Sequence, residues 1–399
     1  MKILHINGTN SGGTANFAIN LHKSLRKKNI DSYIYLPNNH DVENILFSNS
    51  YILNIYKVFR VKFTKLLNKF FLNVRETTTL GFFRSFQIQS VIKKNKPDII
   101  NIHWVGDEFF SLFEILEIKV PIIITIHDMW FFKPIEHYND LTIKKNSTHH
   151  NLFKKIIFNF FLNLKKKIGK KNMEYIFTSD WMIEQAILSN VIERNKIRKI
   201  NCGIDFERWF PIDKKIAREN LNIDPHKKVI LFSAMGINNK RKGFNDFLRS
   251  INKIKGTFQI IISSDEKPKK SLDLDYIYFN SFNSPEKRRE LYSAADVCVA
   301  PSKIEAFGLV ALESCACNTP VVVFSNNGLS EIISHKKNGY IAEKSSSVSF
   351  AEGINWVFNK LDSNPNYFEK NRQLAKKFDI DNIASQYIEA YKKKLNFNK

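Results

Sequence analysis

The sequence predicts an α/β protein of two domains whose strands pair in parallel. Apolar runs of four to six residues recur along the chain, as in Lys228–Ala234, and such runs are typical of strands buried on both faces of a parallel sheet. Segments with helical periodicity alternate with these runs, which is the order expected of βαβ units. With 399 residues, the chain is long enough for two domains of ordinary size.

The first predicted strand, Met1–Ile6, leads into a glycine-rich turn and a helix. The turn contains Gly8, Gly12 and Gly13, and a turn of this kind is suited to a phosphate because glycine allows close approach to the N–H groups of a helix start. The spacing is not that of a dinucleotide fingerprint, and the next strand ends at Pro37 rather than at an acid. A tight turn that needs glycine only for its geometry is the alternative.

Two further predicted strands end in polar residues. Residues 97–102 lead to His103, and residues 121–126 lead to His127 and Asp128. Ligands of open α/β sheets bind beyond the carboxyl ends of the strands, so these three side chains are candidate site residues. For His103, a core or capping role is an equal alternative.

In the second half, the strand at 228–234 precedes a loop with three consecutive basic residues, Lys240, Arg241 and Lys242. Cations beyond the end of a strand are suited to neutralising a diphosphate leaving group. Three solvated charges are the alternative interpretation.

The most informative stretch, 302–313, lies between predicted strands at 294–301 and 319–324. It predicts a loop followed by a helix that opens near Gly308, with Glu305 before the helix and Glu313 inside it. Amides at this helix start would bind a phosphate, and the two carboxylates would bind hydroxyls on either side of a diphosphate. The amides concerned are those of Phe307, Gly308 and Leu309. One glutamate at a helix start and one solvated glutamate are the alternative.

These residues resemble the E-x7-E signature of retaining GT-B glycosyltransferases of family 4, and the segment 125–138 is similar to the bacterial exopolysaccharide, colanic-acid and O-antigen type. The resemblance implies a GT-B fold, in which two Rossmann-like, doubly wound parallel-sheet domains face a central cleft. It assigns donor-sugar hydroxyls to Glu305, the ribose to Glu313, the phosphate to Lys242 and a place near the donor sugar to His127.

The same resemblance places Gly12 and Gly13 against the donor diphosphate and the acceptor, and His103 and Asp128 on the acceptor side. Where the family commonly has an arginine, this chain has Gly236, and Arg241 or Lys240 is expected to substitute. The expected domains are 1–205 on the acceptor side and 206–377 for the nucleotide sugar, followed by a helix at 378–399 that packs back towards the first domain.

The expected activity is that of a retaining hexosyltransferase, which moves a sugar from a UDP- or GDP-linked donor to an acceptor hydroxyl. By resemblance, the acceptor is a lipid-linked saccharide in bacterial surface polysaccharide synthesis. No metal cofactor is expected, since Asp273 and Asp275 have the spacing of a metal motif but lie in an unpatterned loop. A nucleotide-sugar epimerase and a non-catalytic GT-B partner subunit are the alternatives.

The formal net charge of +22 raises the question of an anionic partner. Residues 56–75 and 144–171 contain no acidic residue and combine lysines with large apolar side chains, which suits an anionic membrane surface. In the second stretch the lysines expected to contribute are Lys154, Lys155, Lys165, Lys166 and Lys167. Helices that pack their apolar faces on their own domain, with lysine enriched by genome composition, are the alternative.

Nucleic-acid binding is disfavoured because the sequence contains no compact recognition module. The short apolar start does not have the length of a signal peptide, and apolar runs of about 18 residues are absent from the sequence. The four cysteines lack the spacing of metal ligands. We therefore expect a cytoplasmic protein, peripheral to the inner face of the cell membrane.

Overall fold

A computed structural model describes residues 1–47, 50–74, 77–138, 152–269, 274–281 and 284–396. The chain divides into two compact units. The first unit contains Met1–Asn201 together with the chain from Ile383 onward, and the second contains Cys202–Asn382.

The first unit contains a seven-stranded sheet. Its strands are β1 (Lys2–Ile6), β2 (Asp31–Tyr35), β3 (Ile45–Leu46), β4 (Ile99–Ile102), β5 (Ile122–Ile126), β6 (Met173–Phe177) and β7 (Ile197–Lys199). They lie in the order β3-β2-β1-β4-β5-β6-β7, and neighbouring strands run parallel. Every residue of β4 and β5 is buried, as expected of central strands covered on both faces.

Helices connect these strands. They are α1 (Gly12–Lys27), α2 (Tyr51–Leu67), α3 (Ile88–Asn95), α4 (Leu112–Glu117), α5 (Leu152–Gly169) and α6 (Asp180–Ser189). A π-helical turn at Asn68–Leu72 continues α2, and 3₁₀ turns lie at Trp130–Phe132 and Arg194–Lys196. Local sequence sets several of the helix starts: α4, for example, begins at a capping box formed by Ser111 and Glu114.

The second unit repeats the architecture with six strands. They are β8 (Lys228–Ser233), β9 (Phe258–Ser263), β10 (Tyr276–Phe279), β11 (Val297–Ala300), β12 (Val321–Phe324) and β13 (Gly339–Ala342). Their order is β10-β9-β8-β11-β12-β13, again with parallel neighbours. This is the Rossmann order, in which the direction of strand addition reverses beside the first strand, here β8.

The helices of the second unit are α7 (Lys214–Asn220), α8 (Phe244–Ile251), α9 (Pro285–Ala294), α10 (Leu309–Ala316), α11 (Ser347–Ser363) and α12 (Asn371–Ala375). Short 3₁₀ turns lie at Lys240–Lys242, Gly328–Glu331 and Lys376–Phe378. One face of the sheet packs against α8 and α11, where Phe232, Phe247, Phe324 and Phe350 are buried together.

The last helix, α13 (Ile380–Asn396), packs on the first unit from Ile383 onward. Its Tyr391 hydroxyl accepts a hydrogen bond from the Asn101 side chain at 2.7 Å, and its Tyr387 hydroxyl lies 3.2 Å from Thr125 Oγ1. Both partners are buried polar residues inside β4 and β5, which would otherwise be costly in a sheet core. The predicted α/β class with parallel sheets is confirmed.

Candidate functional site

In the second unit, the loops that follow β8 and β11 meet at the point where the strand order reverses. The backbone N–H of Lys303, after β11, donates to the carbonyl of Arg241, after β8, at 2.8 Å. Loops beyond the carboxyl ends of strands at such a point are where open α/β sheets bind ligands. The predicted basic loop and the predicted Glu305 segment are therefore brought together.

Glu305 is the centre of a partly buried cluster of charges. Lys242 Nζ lies 2.7 Å from Glu305 Oε2, and Arg241 Nη1 lies 3.3 Å from the same oxygen. Arg241 Nη1 also donates to the carbonyl of Ile304 at 2.8 Å. We call Glu305, Lys242 and Arg241 the charge triad. Two cations and one carboxylate give it a net positive charge.

Electrostatics hold the triad carboxyl in its ionised form. Burial alone would raise the pKa of Glu305, but the charges of Lys242 and then Arg241 outweigh it and bring the pKa to about 2. Burial lowers the pKa of Lys242, against the attraction of Glu305. At neutral pH the ionised carboxylate accepts hydrogen bonds and donates none.

Two glycines allow these loops to approach so closely. Gly243 has a φ of +72°, and a Cβ placed on it would lie 1.8 Å from the carbonyl oxygen of Pro301. Gly308 has a φ of +102°, and its Cβ would lie 2.1 Å from Leu329 Cδ2. Both positions thus require glycine for conformation as well as for space.

Gly308 is the residue before α10, so the predicted helix start is confirmed. Leu309 is the first residue of α10, and the first N–H groups of a helix have no partner in the helix ladder. Phe307 is buried, with its ring centroid 5.5 Å from that of Phe378, which fixes the approach to the helix. The N-terminal end of α10 therefore follows Glu305 by only a few residues.

Glu313 lies inside α10 and is buried, not solvated. Its Oε2 accepts from Arg288 Nη1 at 2.9 Å and from the Tyr292 hydroxyl at 3.0 Å. Burial raises the pKa of this carboxyl, against the attraction of Arg288. Sequence reasoning missed both partners, although their spacing of four residues on α9 places them on one helix face.

The first unit has a hydrogen-bonded chain of three histidines, in which His5 lies inside β1 and His103 and His127 follow the ends of β4 and β5. His5 Nδ1 lies 3.0 Å from His103 Nε2, and His103 Nδ1 lies 3.2 Å from His127 Nε2. Burial lowers the pKa of all three rings, to about 4 for His127. The rings are therefore neutral at physiological pH, and in each pair one ring donates its N–H to a nitrogen of the other. His103 and His127 were candidates from the sequence, whereas His5, inside a buried strand, was not.

Asp128 is engaged by its own unit. It accepts from Trp104 Nε1 at 2.8 Å, from His137 Nδ1 at 2.6 Å and from the Trp130 backbone N–H at 2.9 Å. Burial would raise the pKa of Asp128, but His137 and these hydrogen bonds outweigh it and lower the pKa. Both carboxylate oxygens are thus occupied, and the residue orients Trp104 and His137.

The predicted glycine-rich turn leads into α1, whose first residues are Gly12 and Gly13. Gly12 has a φ of +85°. The turn is joined to the loop after β4, because the N–H of Gly8 donates to the carbonyl of Trp104 at 2.6 Å. The turn and His103 thus lie at the switch point of the first sheet, between β1 and β4.

Gly236, where an arginine was expected, has a φ of +69°, and an added Cβ would meet no described atom within 4 Å. Lys240 is exposed, whereas Arg241 is part of the triad. Asp273 lies outside the described residues. In the ranges given above, no group of three or more His, Cys, Asp or Glu side chains is arranged to hold a metal ion.

Comparison with known proteins gives the family. The model of Glycosyltransferase Family 4 matches residues 11–208, and that of Glycosyl transferases group 1 matches residues 213–375. The chain is a group 1, family 4-like glycosyltransferase. The charge triad and the E-x7-E segment lie in the part matched by the second model.

Among relatives of this glycosyltransferase, an uncharacterized glycosyltransferase of Methanocaldococcus jannaschii is 31% identical over 217 residues, which cover 50% of this chain and 54% of that protein. The match thus spans about half of that relative's length. A 41.2 kDa protein in the cps region of Klebsiella pneumoniae is 24% identical over 98% of this chain and 99% of its own.

Solved structures share the fold. An Anabaena protein, HepE, whose structure contains UDP-glucose, aligns with a TM-score of 0.67 at 16% identity, covering 98% of this chain and 100% of its own. With the two parallel-sheet units, this confirms the predicted GT-B fold.

Proposed function

We propose that this glycosyltransferase moves a hexosyl group from a nucleoside-diphosphate sugar to an acceptor hydroxyl with retention of configuration. The observation that carries the proposal is the partly buried charge triad at the switch point of the second sheet, directly before the N-terminal end of α10. The triad combines a carboxylate for sugar hydroxyls with cations for a departing diphosphate.

The triad supplies both parts of this chemistry. An ammonium group has three N–H donors, so Lys242 can bind phosphate oxygens while it holds Glu305. Charge that develops on the leaving diphosphate is stabilised by donors already in place, which is often the largest catalytic contribution. Arg241 takes the role expected of an arginine at Gly236. Neutralisation by these cations predicts activity that persists in a metal chelator.

Glu313 is proposed to bind the ribose. Arg288 and Tyr292 hold Oε2, so the carboxylate is fixed in orientation while Oε1 accepts a hydroxyl. A group whose rotamer is locked by other contacts loses little entropy on binding.

The first unit is proposed to bind the acceptor, with His127 near the donor sugar and His103 supporting it. A neutral imidazole at His127 offers a hydrogen bond to a sugar hydroxyl without adding a charge. A UDP- or GDP-linked donor and a lipid-linked saccharide acceptor of surface polysaccharide synthesis complete the proposal. The UDP-glucose bound to the Anabaena structure and the cps-region relative support these assignments.

A thermal-shift screen of UDP, GDP, ADP and CMP sugars tests the donor. A ligand that binds only the folded protein stabilises it by RT ln(1 + [L]/Kd), about 2.7 kcal/mol at 100 times Kd. One nucleotide class should therefore raise the melting temperature clearly above the others. The same response to all four classes would contradict a specific donor site.

Isosteric variants test the division of roles. Glu305→Gln should lower transfer by about 100-fold or more with a modest loss of nucleotide affinity, whereas Glu313→Gln should chiefly weaken nucleotide binding. Glu343→Gln, an exposed glutamate of the same unit, is the matched control. If the first two effects were exchanged, the assignment of sugar and ribose would be wrong. The anomeric configuration of the product, read by NMR, decides between retention and inversion.

A further inference from the structure

Helix α2 buries polar side chains and exposes apolar ones, which is the reverse of an ordinary surface helix. Its two fully buried side chains are polar: Arg60 Nη1 donates to the Phe83 carbonyl at 3.2 Å, and Thr64 Oγ1 donates to Glu108 Oε1 at 2.9 Å. Its large apolar side chains are mostly exposed, although the rings of Phe59 and Phe63 also contact Phe83 of the same unit. Most of the apolar face of this helix is therefore not covered by its own domain.

The outward side chains form a continuous stripe. They recur at intervals of three or four residues along α2 and the π-helical turn, and each is between 39 and 77% exposed. The stripe consists of Ile52, Ile55, Phe59, Phe63, Leu66 and Phe70. A soluble surface rarely exposes so many contiguous large apolar groups unless they bind something.

The N-terminal half of α5 extends this stripe. Leu152, Phe153, Ile156 and Phe160 are exposed on it. The ring of Phe71 lies 5.4 Å from that of Phe153, and Lys154 Nζ donates to the Leu72 carbonyl at 2.5 Å. The stripe of α2 and these residues of α5 form one surface, which we call the apolar–basic face.

Positive charge flanks this face. Lys62, Lys65 and Lys69 are exposed and, at 3.6 residues per turn, lie about 90° around α2 from the apolar stripe. Exposed Lys155, Lys166 and Lys167 lie on α5. The described residues of α2, the π-helical turn and α5 contain no acidic side chain.

Lys165 was expected to be one of the surface lysines, and this expectation was wrong. It is buried, and its Nζ donates to the carbonyls of Trp130, Lys133 and Pro134. It anchors α5 to its own unit. Residues 144–151 and Arg75, which belong to the acid-free stretches, lie outside the described residues.

We propose that the apolar–basic face binds the surface of an anionic phospholipid bilayer. The apolar stripe would enter the headgroup boundary while the flanking lysines meet lipid phosphates, which is how interfacial amphipathic helices bind. A second copy of this chain fits less well, because the described residues of this face contain no acidic side chain that could pair with the lysines of the other copy. A nucleic acid offers phosphates but little that would bury six apolar side chains. The described chain has no helix with the length and apolar character needed to cross a bilayer.

Vesicle co-sedimentation of the full chain, without any nucleotide, tests the proposal. We expect binding to vesicles of phosphatidylcholine with phosphatidylglycerol, weak binding to phosphatidylcholine alone, and release near 1 M salt, where the Debye length is about 3 Å. Because this assay contains no sugar nucleotide, a failure to bind vesicles can be distinguished from a failure to bind a sugar donor in the thermal-shift screen.

Matched variants locate the surface. Replacing Lys62, Lys65 and Lys69 by glutamine should weaken partitioning onto anionic vesicles by about 100-fold. The same change at three exposed lysines of α1 and its C-terminal end should have little effect; these are Lys23, Lys27 and Lys28.

A triple serine variant at Ile52, Ile55 and Leu66 should also lose vesicle binding while keeping its melting temperature, because these side chains are exposed in the free protein. Several results would overturn the proposal: equal binding to both vesicle types, no binding, or equal loss in both lysine variants. A dimer in solution that the serine variant dissociates, or DNA binding in place of vesicle binding, would also overturn it.

Discussion

Replacing Glu305 by glutamine tests the electrostatics of the charge triad without changing its shape. The pKa of Glu305 falls from 4.5 to about 2 on folding, so its ionised form contributes about 3 kcal/mol to stability near neutral pH. This value is an upper bound on the stability that Glu305→Gln would remove, because the burial of the Lys242 charge is itself destabilising. Once the carboxylate is gone, Lys242 can release its proton and so avoid part of that cost.

The sign of the pH dependence follows from the lowered pKa. The contribution is fully present above pH 4.5, the unfolded value, and disappears as the pH falls through 2. Wild type should therefore exceed Glu305→Gln by about 3 kcal/mol at pH 6 and by only about 1 kcal/mol at pH 3.

Urea unfolding at the two pH values measures this difference. With a slope of about 2 kcal/mol per molar, the midpoint of the second unit should shift by about 1.5 M at pH 6 and by about 0.5 M at pH 3. The exposed Glu343→Gln serves as the control. An equal shift at both pH values, or none at pH 6, would refute the role of Glu305 as the anion of the triad.

Three further substitutions test buried contacts, each by thermal or urea unfolding. Lys165→Met should cost about 3 kcal/mol, because three carbonyls lose a charged donor, and a loss below 0.5 kcal/mol would contradict its burial. Gly308→Ala should cost more than about 2 kcal/mol from backbone strain and the contact with Leu329. In the Gly308→Ala variant, adding Leu329→Ala should recover the stability lost through the contact with Leu329 but not the stability lost through backbone strain. Arg288→Leu should cost about 3–5 kcal/mol by leaving Glu313 unpaired, and pairing it with Glu313→Leu should recover much of the loss; no recovery would argue against the ion pair.

Much of the second-unit site could be predicted because its signals are local. The run of strand, loop, helix and strand around 302–313 gives the start of α10, since glycine and apolar periodicity act within a few residues. That Glu305 meets Lys242 and Arg241 also follows once β8 and β11 are neighbours at a switch point. The roles of these residues in transfer remain predictions.

Other contacts could not be predicted because they join residues far apart in the chain. His5 and His103 meet only because β1 pairs with β4, and the sequence does not state which strands are neighbours. The partners of Glu313 come from a different helix, α9. The spacing of four residues predicts that Arg288 and Tyr292 lie on one face of a helix, but it does not predict which residue that face contacts.

The sequence by itself determined the alternation of strands and helices, the two parallel sheets and the amphipathic periodicity of α2 and α5, since these depend on local pattern. Only the tertiary structure decided which way those helices face. Periodicity defines an apolar stripe but not its direction, and in α2 the buried hydrogen bonds of Arg60 and Thr64 turn that stripe outward. In the same way, a lysine in a basic run gives no sign of burial, and Lys165 is buried because backbone carbonyls from another segment lie within reach of its ammonium group.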